Sequence, residues 1–391
     1  MSRASRVPAS REGTPAMSDE PSGPNQIYIS RWSAVSPFGI GSAAFSEGLH
    51  DGRKTAAPPD PDDWQTVPDT NICLVPDFNI REVLGKSGTR VLGREAALAV
   101  TAVRELFHEA PEEAPISGGP NIAMVMGTTT GTPQGYMDFT KASLTGPKPH
   151  HVPAALAPNM VMNRAASASA IWHQLQGPNS TIAGGRAAAL LALKYGQRLL
   201  THRRAERVLC GGVEEYSNAR SWLEYHRRGG GDVVLGEGCA LLLLETGASL
   251  ASGHRPALAE VLAVEFRVNT DDDLSGVLGA CLHGALATAK ATADDVWAVM
   301  PSGIAGPAGE EENRLLASLF DSAALSRASV SDLIGDTSAA SAGFDVIGML
   351  SAAARSPESV GRLGVVSSID PDGSVACAIL RLLDGVRQDQ P

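Results

Sequence analysis

Side chains able to do covalent or metal chemistry are few and scattered in this chain. The five cysteines, Cys73, Cys210, Cys239, Cys281 and Cys377, form no CxxC pair and have no histidine at ligand spacing. Neither a zinc site nor a disulfide framework is expected, and the predicted metal count is none. Cys210, Cys239 and Cys377 stand inside apolar runs, the setting of buried reduced thiols. His150-His151 is an adjacent pair whose side chains should point apart on helix or strand alike, so it reads as a surface loop. His202-Arg203-Arg204 and His226-Arg227-Arg228 are short basic clusters. They fit solvated helix ends, or alternatively a contact for an acidic partner. Gly229-Gly230-Gly231 has no strand, lysine or helix start to frame a phosphate and reads as a flexible loop.

Composition narrows the classes further. Of 391 residues, 43% are hydrophobic and 19% charged, a globular balance able to bury a sizeable core. No apolar run approaches the roughly eighteen residues of a membrane span, so no membrane role is expected. The net charge of −11 comes with 5% aromatics and no basic block, which argues against nucleic acid. A cytoplasmic location is expected. Residues 1–25, rich in Ser, Pro, Glu and Arg, read as a disordered tail without the apolar core of a signal peptide.

Order should begin with a short strand at Gln26-Ile27-Tyr28-Ile29, then a turn through Ser33–Gly41 into a helix near 43–48, with loop over 51–69. The spacing of Leu92, Ala96, Ala99, Val103 and Leu106 predicts a helix over 91–108. A buried strand at 122–126 runs into the glycine-rich turn 127–131. A strand at 181–183 leads into a helix over 186–200. Continuous apolar runs at 208–213, 239–244, 297–300, 364–368 and 376–382 predict strands covered on both faces. Helices fit 311–320 and 342–355, and 246–256 reads as a connector between two halves. Buried strands alternating with helices imply an α/β protein.

The order of short motifs resembles the β-ketoacyl synthases of the thiolase superfamily. Ser33–Gly41 (SAVSPFGIG) is similar to the family's opening segment, and Gly127–Gly131 to its glycine-rich turn. Gly177-Pro178-Asn179-Ser180-Thr181-Ile182-Ala183 resembles the strand that delivers the nucleophile. Cys210-Gly211-Gly212-Val213 and Leu235-Gly236-Glu237-Gly238-Cys239-Ala240 match the "AGGV" and "GEGCA" motifs. The resemblance implies a thiolase-like fold, with two similar α/β halves (26–250 and 251–391) in a layered α-β-α-β-α architecture.

The same resemblance implies that catalysis is lost. The family's cysteine sits at a helix N-terminus, where the dipole lowers its pKa, and two histidines assist. Here the nucleophile position maps to Arg186 in Ala183-Gly184-Gly185-Arg186-Ala187. The histidine positions map to Ser302 and Thr337, and the glycine-rich gate to Asp370-Pro371-Asp372-Gly373-Ser374-Val375. Arginine offers no nucleophile, and serine or threonine without histidine supplies no proton chemistry.

A catalytically empty member of this fold is the chain-length factor, the partner of an active ketosynthase in type II polyketide synthases. The resemblance implies a heterodimer, alone or in a higher assembly, whose tunnel ends against this subunit. It implies no cofactor, acyl chains arriving on the phosphopantetheine of an acyl carrier protein. Wall residues would fall at Thr130, Thr132, Gln134, Gly135, Tyr136, Met137 and Phe139. The small ones, Thr130, Thr132 and Gly135, would leave room for a long chain. Tyr136, Met137 and Phe139 fit either a tunnel stop or ordinary core packing. The dimer edge would be Asn179, Ser180, Thr181, Ile182 and Ala183. For Arg186 two readings stand side by side: a buried ion pair, with Glu214 or Glu215 as candidate partners, or a specific part in filling the vacated pocket. In the aromatic branch a glutamine commonly replaces the cysteine; Arg186 stands there instead, and this departure favours a reducing pathway making a polyene or similar linear chain. Two other readings stay open: a repurposed enzyme for acyl transfer, cyclisation or isomerisation, using Ser302 or Thr337 with Asp336, and a scaffold that only stabilises a ketosynthase.

Overall fold

Nine strands longer than two residues carry the architecture: β1 (Ile27–Ser36), β2 (Ile122–Thr128), β3 (Asn179–Ala183), β4 (Arg207–Glu214), β5 (Gly238–Thr246), β6 (Ala259–Val268), β7 (Val296–Met300), β8 (Leu363–Ile369) and β9 (Ser374–Leu382). The computed structural model describes residues 25–385 apart from 65, 111–114, 231–232 and 328–329. The tail expected at 1–25 therefore lies, but for Asn25, outside the described residues, as does Gly231. No described helix is long and apolar enough to cross a membrane.

The strands join in the order β7-β8-β9-β6-β1-β5-β4-β2-β3, and the two-residue strand Gly39–Ile40 folds back on β1 to complete a ten-stranded sheet. β2 runs parallel to β3 and β4, while β5 is antiparallel to both β4 and β1. The expected halves meet within this sheet, where β1 pairs with β6 only at Tyr28↔Glu260 and Ile29↔Ala259.

Helices fill the layers between and outside these strands. They are α1 (Ser42–His50), α2 (Arg94–His108), α3 (Pro133–Thr145), α4 (Arg164–His173), α5 (Ala188–Thr201), α6 (Asn218–Arg227), α7 (Leu274–Ala289), α8 (Pro307–Leu319) and α9 (Ser341–Ala354). α2 and α4 cover one face of the N-terminal strands, and α7 and α8 the outer face of the C-terminal ones. α5 and α9 lie between, packed against strands of both halves. This is the layered α-β-α-β-α arrangement. Its central core holds Phe45 of α1 stacked on Phe344 of α9, centroids 5.7 Å apart and 8° from parallel.

The strand at the N-terminus is longer than the sequence suggests. All ten residues of β1 are buried, yet Ser30, Arg31, Ser33 and Ser36 interrupt its apolar pattern. Tertiary bonds satisfy three of them. Ser33 Oγ donates to Ala102 O (2.6 Å), Ser30 Oγ to Glu245 (2.7 Å), and Arg31 Nη1 to Glu109 O (2.8 Å). β6 and the helices α3, α4, α6 and α7 have no counterpart in the sequence reading. The connector at 246–256 contains a short helix, Gly247–Gly253.

Because Phe344 bridges the halves, Phe344→Ala is expected to lower the unfolding free energy by about 3–5 kcal/mol. Urea denaturation followed by tryptophan fluorescence checks this; a change under about 1 kcal/mol would mean the central layer is not a shared core.

Candidate functional site

The edge strand β3 feeds a turn, Gly184-Gly185, and a 3₁₀ turn, Gly185–Ala187, that opens α5. Gly185 has φ +53°, and a Cβ there would lie 2.0 Å from Asp370 Oδ2, so the close approach needs glycine. Arg186 follows, only 2% exposed and the largest fully buried side chain. Its Nη1 pairs with the Asp336 carboxylate, and Nη2 donates to Ser302 O at 2.5 Å. Its backbone N–H donates to Asp370 Oδ2 at 2.8 Å.

The ion pair expected for Arg186 is thus present, but with Asp336 rather than Glu214 or Glu215. Those glutamates are held by nearer donors. Glu214 accepts from Thr129 Oγ1 at 2.5 Å and lies 3.9 Å from Arg220 Nε, while Glu215 accepts from Glu95 N at 3.0 Å.

Three arginines converge on Asp336. Arg186 touches its carboxylate, Arg228 Nη2 stands 3.9 Å from Oδ2, and Arg220 Nη2 bonds its backbone oxygen at 2.9 Å. Burial alone raises this carboxyl, but Arg186, Arg220, the Ser338 N–H and Arg228 outweigh it and hold it at about 2. Arg228 is therefore no simple solvated helix end, whereas His202, Arg203 and Arg204 are exposed as expected. Ser338 has φ +44° and donates its N–H to Asp336 Oδ1 at 2.8 Å, a left-handed residue pinned at the site.

The residue facing Arg186 from this segment is Asp336, one position before Thr337. Thr337 is buried beside Gly236 instead. Ser302 keeps its place, but its N–H donates to Glu312 Oε1 at 3.0 Å and its hydroxyl bonds Glu312 Oε2. Glu312 and Arg220 have no place in the sequence reading, while Asp370 entered it only as the start of the gate-equivalent segment and Arg228 only within a basic cluster.

This arrangement offers no nucleophile. The amide at the start of α5, which could stabilise an oxyanion, is bonded to a carboxylate. None of the nine histidines bonds Arg186, Asp336, Ser302 or Thr337. All five cysteines are buried, and burial pushes the Cys210 and Cys239 thiols up, away from thiolate. Among the described residues no cluster of His, Cys, Asp or Glu could hold a metal ion.

The segment after the glycine-rich turn is the helix α3, and its residues divide by face. Tyr136 and Met137 are 61% and 58% exposed, so they are not core. Thr130 is exposed and Phe139 partly so. Gly135 and Thr132 turn inward. A Cβ on Gly135 would sit 3.0 Å from Asn159 O, and the Thr132 hydroxyl bonds that same oxygen. They pack α3 on residues 154–160. Gln134 Oε1 accepts from Ala219 N at 3.0 Å, tying α3 to α6. α6 presents Trp222, Leu223 and Tyr225, also exposed. β3 ends the sheet, with no strand beyond it among the described residues. His150 and His151 are exposed but touch edge to face, 4.7 Å between centroids, because the chain there is a turn rather than the helix or strand that would separate them.

The comparisons with known proteins agree with this fold. The family described as "Beta-ketoacyl synthase, N-terminal domain" matches residues 25–249. The chain is similar to a chain of the ishigamide ketosynthase/chain length factor, 41% identical with TM-score 0.87, covering 92% of this chain and 99% of that one. It is also similar in fold to a structure of a type II polyketide synthase acyl-carrier protein in complex with its ketosynthase. There the TM-score is 0.75 at 16% identity, covering 92% of this chain and 100% of that one. The 3-oxoacyl-[acyl-carrier-protein] synthase 2 of Coxiella burnetii (strain RSA 493 / Nine Mile phase I) is 21% identical over 189 residues, 48% of this chain and 45% of that protein. The chain thus spans less than half the length of this curated relative.

Asp336→Asn is expected to cost about 3 kcal/mol, because it leaves the buried Arg186 without its counter-charge. The sign with pH follows from the depressed carboxyl. The folded value of about 2 lies below the ordinary 3.8, so its stabilisation is complete above about pH 4 and is lost as pH falls toward 2. Acid denaturation followed by circular dichroism should show that component in the parent protein and not in Asp336→Asn.

Proposed function

The chain belongs to the β-ketoacyl synthase family, and on that premise we propose that it is the non-catalytic chain-length factor of a type II polyketide synthase. In this reading it pairs in the cytoplasm with an active ketosynthase, as a heterodimer or a higher assembly of heterodimers, and contributes shape to the partner's acyl tunnel. One observation carries it. The position at the start of α5 that should bear a nucleophile holds a buried arginine locked by Asp336, Ser302 and Asp370. The arginine takes the place of a nucleophile and its amide is bonded to Asp370, while the fold is kept.

The outer surface supports a pairing role. Tyr136 and Met137 on α3 and Trp222, Leu223 and Tyr225 on α6 are large apolar side chains left exposed in the single chain, as at an interface awaiting its partner. β3, Asn179–Ala183, offers an unpaired edge that a partner strand could extend. Chains would reach the partner's cysteine on the phosphopantetheine of an acyl carrier protein, so this subunit needs no cofactor of its own. The product is read as a linear, reduced chain such as a polyene. A repurposed enzyme is poorly served by this geometry, since the Ser302 hydroxyl is committed to Glu312 and Thr337 is buried with its methyl group against Gly236.

The test is reconstitution with a ketosynthase that retains its cysteine and both histidines. The isolated chain should not extend malonyl thioesters, whereas the co-purified pair should, with the mass of a heterodimer by size exclusion. Turnover by the chain alone would overturn the reading. Tyr136→Glu and Met137→Glu should leave the melting temperature of the single chain unchanged but weaken pairing by about 1.4 kcal/mol or more each, tenfold in dissociation constant. Alanine at both positions should shift products to longer chains; pairing with unchanged product length would mean a scaffold only.

A further inference from the structure

Under the turn that launches α3 lies a pair of buried carboxyls with no part in the ion-pair lock. Glu95, in the first turn of α2, is fully buried, and Glu215, just after β4, is 4% exposed. They are joined directly, Glu95 N–H donating to Glu215 Oε2 at 3.0 Å. Each also has one oxygen left over: Glu95 Oε2 and Glu215 Oε1 are buried without a hydrogen-bond partner. The other oxygen of Glu95 accepts from Thr128 Oγ1 at 2.9 Å, and Thr128 Oγ1 accepts from Gly131 N at 3.0 Å. This short chain of bonds runs from Glu95 through Thr128 to the 128–132 turn, which sets where α3 begins.

The charges around the pair do not cancel. Glu95 faces Glu215, Glu214 and the Cys239 thiol, while Glu215 faces Glu95, Glu214, Glu237 and Arg94. The nearby cations are committed elsewhere. Arg94 forms a two-point bond with Glu237 at 2.7 and 2.5 Å, and Arg220 donates to the carbonyls of Glu215, Gly236 and Asp336. Two adjacent buried carboxylates with orphaned oxygens and no cation of their own are too costly to keep both charges.

We propose that Glu95 and Glu215 retain a proton in the folded chain, and that Glu95 is thereby a positioning residue for the 128–132 turn and the exposed face of α3. The consequence at α3 rests on the pairing proposed above; the proton itself does not. Burial and the neighbouring glutamates push Glu95 well above its ordinary value, and burial lifts Glu215 to about 7. Both folded values lie above the unfolded 4.5. The stability these groups contribute is therefore present at low pH and lost as pH rises from about 4.5 through 7.

The experiment follows melting temperature of the full chain, and its affinity for the ketosynthase, between pH 5 and 9. The parent protein should lose melting temperature as pH rises, and its pairing should weaken by up to about tenfold per pH unit, the limit for one linked proton. Glu95→Gln, neutral at every pH and still able to accept from Thr128, should flatten both profiles; should it fail to fold, Glu215→Gln is read the same way. Thr128→Val should keep the melting slope but free pairing from pH. A glutamine variant with the parent's melting slope would overturn the retained proton. A parent chain whose melting falls with pH while its pairing does not would overturn the positioning role. A chain that pairs with no ketosynthase fails the earlier proposal, and the melting profiles still decide this one.

Discussion

A positive charge buried between the two halves of the molecule has to be neutralised, and the way it is neutralised organises the site. Arg186 belongs to the N-terminal half, yet Ser302, Asp336 and Asp370, which hold it, all belong to the C-terminal half. The neighbouring contacts follow the same segregation. Arg220 and Arg228 reach Asp336, and Arg227 lies 4.0 Å from Asp372. Arginines come from one side of the cleft and aspartates from the other, so closing the halves and satisfying the charges are one event. Where a condensing enzyme needs open space and free donors, this chain has a seam.

The same contacts satisfy the start of α5 from within the chain. A helix N-terminus offers its first amides to an anion. In this chain the Asp370 carboxylate takes the Arg186 amide, so the helix end is satisfied without substrate. Ser302 is satisfied in the same internal way by Glu312, which also accepts from Ser367. The Arg186 amide and the Ser302 hydroxyl thus face other parts of the protein, while Arg186 Nε is buried without a hydrogen-bond partner. Large apolar side chains lie exposed on α3 and α6.

What could be read in the sequence follows from whether the governing contacts are local. The runs at 208–213 and 239–244 are legible as strands because burial on both faces demands unbroken apolar residues. β1 was foreshortened because its serines and Arg31 look like solvent-facing residues until Ala102, Glu109 and Glu245 are brought alongside. β6 hides for the same reason, its Glu260 bonded to Arg381 on β9 at 2.7 Å. At the site, motif order alone places Arg186 at the start of a helix, and α5 begins two residues on. The partner of Arg186 was not legible: Glu214 and Glu215 stand nearer in sequence, and only the closing of the halves brings in Asp336. On α3, the pattern Tyr136, Met137, Phe139 fits a tunnel stop or core packing, because a sequence does not separate an exposed apolar side chain from a buried one; Tyr136 and Met137 are exposed.

Two neighbouring groups of acids show that one fold can meet the cost of buried charge by opposite means. Asp336 keeps its charge because three arginines surround it, and its carboxyl is held at about 2. Glu215 has only a committed arginine and other acids around it, and is lifted to about 7. Glu214 stands between these groups, close to Arg220 on one side and to Glu95 and Glu215 on the other. Its Thr129 donor also contacts Ser338, the residue that bonds Asp336. The ion pairs close the interior across the two halves, and the acid pair sits under the turn leading to α3. The two solutions thus meet at Thr129, which bonds Glu214 and contacts Ser338.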